Sequence, residues 1–111
     1  MDAPRTEMFR KLLERDPNNP MILCSLGIEL FKEGRYPEAR EYLARAVEKK
    51  PDYSVAYRML GRAHYELRED AEAREVFERG REVATENGDL QTVKEIDVFR
   101  RRLDKRAAGE G

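Results

Sequence analysis

The chain has very few of the residues on which secreted, metal-binding and membrane-spanning proteins depend. Its 111 residues include one cysteine, one histidine and no tryptophan. A single cysteine cannot form an internal disulfide, and this usage is typical of a reducing compartment. The sequence contains no Cys/His cluster with metal-ligand spacing, no glycine-rich phosphate loop and no apolar run of the roughly 20 residues that a membrane helix needs. We therefore expect no metal, no cofactor and no membrane association.

The chain also lacks an excess of charge of either sign. Its net charge is −1, although 41% of its residues are charged and 40% are hydrophobic. A net charge near zero provides no long-range field that would attract nucleic acid or an anionic membrane. The length fits one domain, and the first residues lack the basic and apolar blocks of a secretory signal peptide. These features predict a cytoplasmic protein.

What the sequence does contain is an internal repeat with a period of 34 residues. Residues 23–30 align with residues 57–64, and the tetrapeptide Glu-Ala-Arg-Glu at 38–41 recurs at 72–75. Leu43 aligns in the same way with Phe77. A fixed period of this length is typical of stacked supersecondary units, whose combined surface usually binds other proteins.

The repeated positions read L-x2-L-G-x2-L, then A-x3-L, then P in the first unit, and Y-x2-L-G-x2-H, then A-x3-F in the second. The first unit contributes Leu23, Leu26, Gly27, Leu30, Ala39, Leu43 and Pro51. The second contributes Tyr57, Leu60, Gly61, His64, Ala73 and Phe77, with Thr85 in place of the closing proline. Phe9 and Pro17 precede Leu43 and Pro51 by the same 34 residues. In this spacing the sequence resembles the tetratricopeptide repeat (TPR) family.

The resemblance implies an all-α fold, a short right-handed superhelix of helical hairpins with about six helices. We expect a single domain over residues 1–106 and a frayed tail over 107–111. Within the domain we expect a capping helix in 1–17, repeats in 20–53 and 54–87, and a second capping helix in 89–106. Helix ends are predicted from Gly34 and Gly88, and helix starts from the following caps. The predicted N-caps are Asp2, Asp52 or Ser54, Asp70 and Asp89.

Two glycines of the pattern are expected in the middle of helices. Gly27 and Gly61 cost about 1 kcal/mol there relative to alanine, which indicates a packing reason for them. We expect each to allow close approach of the partner helix, with Ala39 and Ala73 as the facing small residues.

The resemblance also implies that the first helix of each hairpin lines a concave groove. Carried over position by position, the predicted groove residues are Met21, Cys24, Ile28 and Phe31 in the first unit, and Val55, Arg58, Met59, Arg62 and Tyr65 in the second. The first four are spaced 3, 4 and 3 residues apart, which is one helical stripe. In the second unit, Arg58 and Arg62 are one turn apart and suit a bidentate carboxylate. Alternatively, the apolar stripe is covered by the sixth helix or by a second subunit.

Some TPR domains hold the C-terminal carboxylate of a peptide with a clamp of lysines and asparagines. The corresponding positions are occupied here by Cys24, Ile28 and Met59. The resemblance therefore does not imply chaperone-tail binding of that type.

Neither the single histidine nor the C-terminal basic run predicts a separate activity. His64 occupies a packing position of the pattern, and no nucleophile or carboxylate is placed by spacing to work with it. The basic run at 100–106 offers a contact for RNA or for an acidic partner. However, cations complement the dipole at a helix C-terminus, and Asp97 and Asp104 interrupt the positive field. We therefore expect neither catalysis nor nucleic-acid binding.

The sequence thus predicts a protein–protein interaction module that binds a peptide or helix in the concave groove, without a small-molecule substrate. One alternative is a self-assembling module that uses the same groove or the ends of the superhelix, and forms a weak homo-oligomer. RNA binding through the C-terminal basic helix is the least favoured alternative.

Overall fold

The computed structural model describes residues 4–109, and this part of the chain consists of six helices without a strand. The helices are α1 (Arg5–Arg15), α2 (Pro20–Lys32), α3 (Tyr36–Lys49), α4 (Ser54–Glu66), α5 (Asp70–Glu86) and α6 (Leu90–Ala107). The predicted all-α class and the number of helices are confirmed. Over the same residues, no helix combines the length and the apolar character needed to cross a membrane.

Side-chain caps start two of the helices. The Asn19 Oδ1 accepts from the backbone N–H groups of Met21 and Ile22, at 2.9 and 3.2 Å, and so caps α2. As predicted, Asp89 caps α6, because its carboxylate accepts from the Thr92 N–H at 3.1 Å. Gly34, with φ at +77°, supplies the left-handed residue that follows α2.

The other predicted caps are wrong or lie outside the described residues. No side-chain cap precedes α4 or α5, and Ser54 and Asp70 are instead the first residues of these helices. The Ser54 hydroxyl donates to the Asp89 carboxylate at 2.7 Å and so joins the starts of α4 and α6. Asp2 lies outside the described residues, as do residues 110 and 111 of the predicted tail.

The helices pack as a stack of hairpins. The closest partners are α2 with α3 and α4 with α5, and α3 packs on α4, α5 on α6, and α1 on α2. Helix α4 also touches both α2 and α6, so the first helices of successive hairpins lie side by side. These three helices form the floor on which the predicted groove residues lie.

The buried side chains fall into two clusters. The larger cluster joins α1, α2, α3 and α4, and the smaller one lies between α5 and α6. The largest fully buried side chains are Phe77, Leu23, Leu26, Leu30, Leu43, Ile96 and Leu103. Most of them occupy positions of the 34-residue pattern, so the repeated residues are mainly residues of the core.

The two mid-helix glycines are each covered by a large side chain. A Cβ added at Gly27 would lie 2.5 Å from the Leu43 Cγ, and one added at Gly61 would lie within the contact distance of the Phe77 ring. The atoms nearest to each glycine thus belong to Leu43 and Phe77, one turn after Ala39 and Ala73. Glycine makes room for Leu43 and Phe77, the large residues of the next helix.

Helix α6 packs on the rest of the protein along one side. Thr92, Ile96 and Leu103 are buried there, whereas Leu90, the first residue of the helix, is 65% exposed.

Candidate partner-binding groove

The predicted apolar wall on α2 is only partly open. Met21 is 66% exposed and Ile28 is half-buried, but Cys24 is 1% exposed and belongs to the core cluster. Met59 on α4 is likewise only 5% exposed. Cys24 and Met59 therefore do not line an open surface, because both belong to the core that α2 shares with α4.

Phe31 is covered by an arginine of the next hairpin. The Arg62 guanidinium lies over the Phe31 ring at 4.8 Å and over the Phe99 ring of α6 at 5.0 Å. The Tyr36 ring packs edge-on against Phe31 at 5.0 Å between centroids. One arginine therefore bridges α2, α4 and α6 across the floor of the groove.

The second wall is formed jointly by α4 and α6. The Arg58 Nε lies 2.9 Å from the Glu95 Oε2, and the Tyr65 ring meets Phe99 edge-on at 5.2 Å. The Arg106 guanidinium packs on the other side of Tyr65 at 3.8 Å from the ring centroid. Helix α6 thus covers the side of α4 that the sequence predicts as an open wall of the groove. Val55, in the first turn of α4, is half-buried.

A pocket of about 290 Å³ remains between α4 and α6. Its lining consists of Arg58, Arg62, Glu95, Val98, Phe99 and Arg102. The four α6 residues are absent from the predicted groove. Because the sequence assigns α6 a capping role, it does not reveal that Phe99 and Arg102 face the groove.

The lining of this pocket includes three arginines but one glutamate, so its positive charge exceeds its negative charge. Among residues 4–109, the buried Nε atoms of Arg58 and Arg62 find no hydrogen-bond partner. The close contact of Arg58 with Glu95 is an ion pair whose N–H is not aligned for a hydrogen bond. Burial lowers the pKa of Arg62, and the neighbouring charges of Arg58 and Arg102 lower it further against the opposing effect of Glu95. An anionic group bound in this pocket would therefore meet guanidinium N–H donors that are already shielded from water.

The thiol of the single cysteine is in an environment that disfavours its reactive form. Burial raises the pKa of the Cys24 thiol, and this effect outweighs the opposite influence of the Tyr53 hydroxyl and of Arg58. Burial likewise raises the pKa of Tyr53 to about 12. Since the thiolate is the reactive form, a buried thiol with a raised pKa behaves as a small apolar residue.

His64 does have a carboxylate partner, contrary to the expectation from spacing. Its Nδ1 lies 2.8 Å from the Glu69 Oε1, and the other oxygen of Glu69 accepts from Arg40 on α3. The turn that brings Glu69 back passes through Arg68, which has φ at +62°. His64 remains half-buried at its packing position. Through Glu69, its contact connects α4 to Arg40 of α3. Over residues 4–109, no group of three or more His, Cys, Asp or Glu side chains is placed to hold a metal ion.

The sequence matches two family models, both described as tetratricopeptide repeat, over residues 30–95 and 8–41. It is 35% identical over 99 residues to the TPR repeat-containing protein PA0015 of Pseudomonas aeruginosa, and the match covers 89% of this chain and 94% of that protein.

Solved structures have the same architecture. The solution structure of protein BPP2914 from Bordetella parapertussis matches with a TM-score of 0.83 at 34% identity, and the match covers 99% of this chain and 95% of that one. The TPR2B domain of yeast Sti1, in its complex with pHsp70, matches with a TM-score of 0.86 over 91% of this chain and 81% of that one. At 23% identity, this second likeness shows a shared fold alone.

Proposed function

The chain belongs to the tetratricopeptide repeat family, and from this premise we propose that it is a protein-interaction module which binds a peptide or helix of a partner in the groove of α2, α4 and α6. Stacked helical repeats form extended concave surfaces that are used for binding. One structural neighbour is itself a complex, the TPR2B domain of Sti1 with pHsp70. We propose no catalytic role, and we retain the prediction of a cytoplasmic location.

The observation that carries this proposal is the pair of buried guanidinium nitrogens without an acceptor. A buried donor left unpaired costs about 1–3 kcal/mol, and more when it is charged. A carboxylate in the pocket of α4 and α6 would accept from Arg62 and Arg102 and relieve that cost. Arg58 contributes less, since Glu95 already balances its charge. We therefore infer that the partner presents an acidic side chain or a C-terminal carboxylate.

The rest of the groove favours an apolar neighbour for that acidic group. Met21, Ile28 and Val55 keep partly exposed side chains on α2 and α4. A peptide that runs across both helices would place an aliphatic side chain on these residues while its carboxylate reaches Arg62. Since burial of apolar area provides affinity and paired charges provide orientation, both features are expected in the partner.

A random peptide library, selected on the immobilised protein, tests this proposal. We expect the selected peptides to be enriched in aspartate or glutamate next to an aliphatic residue. Their affinity, measured by calorimetry, should fall at least about tenfold in Arg62→Gln, because a charge-assisted hydrogen bond is worth about 1.5–3 kcal/mol. Arg62→Lys should restore part of the loss.

The matched control is Arg15→Gln, which removes one exposed and unpaired guanidinium from α1. This variant should bind the selected peptides as the wild type does. Selected peptides without an acidic residue, or equal affinity in the Arg62→Gln and Arg15→Gln variants, would contradict the proposal. Circular dichroism of each variant separates loss of binding from loss of the fold.

A further inference from the structure

The three carboxylates of α6 lie on the flanks of the helix, beside its buried face. Each of the three forms an ion pair with an arginine of α4 or α5. The pairs are Glu95 with Arg58 at 2.9 Å, Asp97 with Arg81 at 2.8 Å, and Asp104 with Arg74 at 2.8 Å. In the Asp97 pair both oxygens accept from the same guanidinium, the second at 3.1 Å. The negative charge of this helix is therefore balanced by arginines of the neighbouring helices.

A line of cations and apolar residues runs along the exposed side of α6. Lys94, Val98, Arg101 and Lys105 are spaced 4, 3 and 4 residues apart, which places them in one line along the helix. All four are exposed, and Leu90 continues the line at its start. Within residues 4–109, none of the three cations forms an ion pair. We call the line from Leu90 to Lys105 the outer stripe.

The two aspartates of the basic run are paired with arginines of α5. Asp97 and Asp104 lie beside the run, and Arg81 and Arg74 of α5 balance their charge. The Arg81 guanidinium lowers the pKa of Asp97, so this aspartate stays ionised and paired. The outer stripe therefore keeps a net positive charge despite the chain's net charge of −1, because the aspartates beside it are paired with α5.

The surroundings of the stripe favour a short acidic partner over a long polyanion. Glu78, Glu82 and Glu86 of α5 line a groove together with Arg100 of α6, so acidic side chains border the basic face. A nucleic acid that extended beyond the stripe would approach these glutamates. By contrast, a helix with the same 4-3-4 spacing matches the stripe over its length of about 16 Å and leaves α5 uncovered.

We propose that the outer stripe of α6 is a second docking surface, which adjoins the groove at Val98, and that it binds an acidic amphipathic helix of a partner protein. Three glutamates of that helix face Lys94, Arg101 and Lys105, and an aliphatic residue packs on Val98 between them. An apolar centre with a charged rim is the usual composition of a protein interface. Association through such a surface is faster and tighter at low salt.

The probe for this surface is a synthetic alanine-rich helical peptide with glutamates spaced to match the three cations and one leucine opposite Val98. Its binding is followed by fluorescence anisotropy across a salt series. In the variant Lys94→Glu/Arg101→Glu/Lys105→Glu, affinity should fall by at least about tenfold, since charge is removed and then reversed. The control Lys11→Glu/Arg15→Glu/Lys49→Glu makes the same change of net charge at exposed positions on α1 and α3 and should stay within about threefold of the wild type.

Further measurements identify the occupant. Amide shifts in an NMR titration should follow the outer stripe, and Arg62→Gln should leave the affinity for the acidic helix unchanged. Shifts centred on Phe31 and Arg62 would overturn the proposal by placing the peptide in the groove. Equal binding of a proline-interrupted peptide of the same composition would show that no helix is recognised, and would also overturn it.

Two other occupants would overturn the proposal as well. Tighter binding of poly(U) RNA than of the peptide, lost in the α6 triple variant, would assign the stripe to nucleic acid. A mass that rises with protein concentration in the wild type and stays monomeric in that variant would assign it to a second copy of the chain.

Discussion

The Glu69 carboxylate joins three segments of the chain. It lies in the turn between α4 and α5, accepts from Arg40 of α3 and contacts His64 of α4 at 2.8 Å. The hydrogen bond with His64, followed by that with Arg40, holds the pKa of Glu69 below its ordinary value of 4.5. This lowered pKa links the stability of the second hairpin to pH.

The sign of that link follows from the direction of the shift. A carboxyl group whose pKa is lower in the folded state stabilises the protein above its unfolded pKa, and this contribution is lost as the pH falls through the folded value. We therefore expect Glu69→Gln to lower the free energy of unfolding at neutral pH and to differ little from the wild type in strong acid.

Urea unfolding across a pH series measures this difference. Glu72→Gln, at an exposed position one turn further along α5, is the control and should be close to the wild type at every pH. A deficit of Glu69→Gln that persists unchanged into strong acid would show that Glu69 acts through packing.

The hairpins are fitted together by glycine against a large side chain. In α2 and α4 the glycine lies beneath Leu43 and Phe77 respectively, and both of these side chains are fully buried. A helix with alanine at that place would form more readily by itself, but it could not approach its partner as closely. Packing therefore outweighs helix propensity at these two positions.

The sign of the stability change in Gly61→Ala shows whether helix propensity or packing dominates at this position. Propensity alone predicts a gain of about 1 kcal/mol in the free energy of unfolding. The contact with Phe77 predicts a loss of about 1–3 kcal/mol, because the added Cβ overpacks the hairpin. We expect the loss in a thermal or urea melt.

Ala44→Gly shows the propensity effect alone, since Ala44 is exposed in the middle of α3. It should destabilise the protein by about 1 kcal/mol. If Gly61→Ala were as stable as the wild type or more stable, the tight fit against Phe77 would be wrong.

The helices were predictable wherever the positions of the 34-residue pattern are residues that pack in the core. Leu23, Leu43 and Phe77 recur because each hairpin repeats the same core, so the number and order of the helices follow from the spacing. The sequence left the cover of the groove open between the sixth helix and a second subunit, because α6 leaves the pattern and spacing could not choose between them. Cys24 and Met59 were assigned to the groove because spacing alone cannot separate a surface stripe from the contact between adjacent helices.

The whole chain presents two different surfaces, the groove of α2, α4 and α6 and the outer stripe of α6. The groove has little open apolar area, since Arg62 covers Phe31 and the core includes Cys24. Association of two copies through this groove would first require the arginine to leave both aromatic rings. The groove is therefore better suited to a charged peptide than to a second copy.

We expect the protein to be monomeric in light scattering coupled to size-exclusion chromatography, over a concentration series. Phe31→Glu tests the same surface, because it removes the ring beneath Arg62. A wild-type mass that rises with concentration, together with a monomeric and folded Phe31→Glu variant, would contradict this and assign the stripe on α2 to another copy.

The stacking of Arg62 on Phe31 and Phe99 means that one side chain contacts the aromatic rings of two other helices. A carboxylate in the pocket would compete with both rings for the same guanidinium. The affinity of the groove therefore includes the loss of whichever ring contact the ligand displaces, whereas the cations of the outer stripe make no such contact.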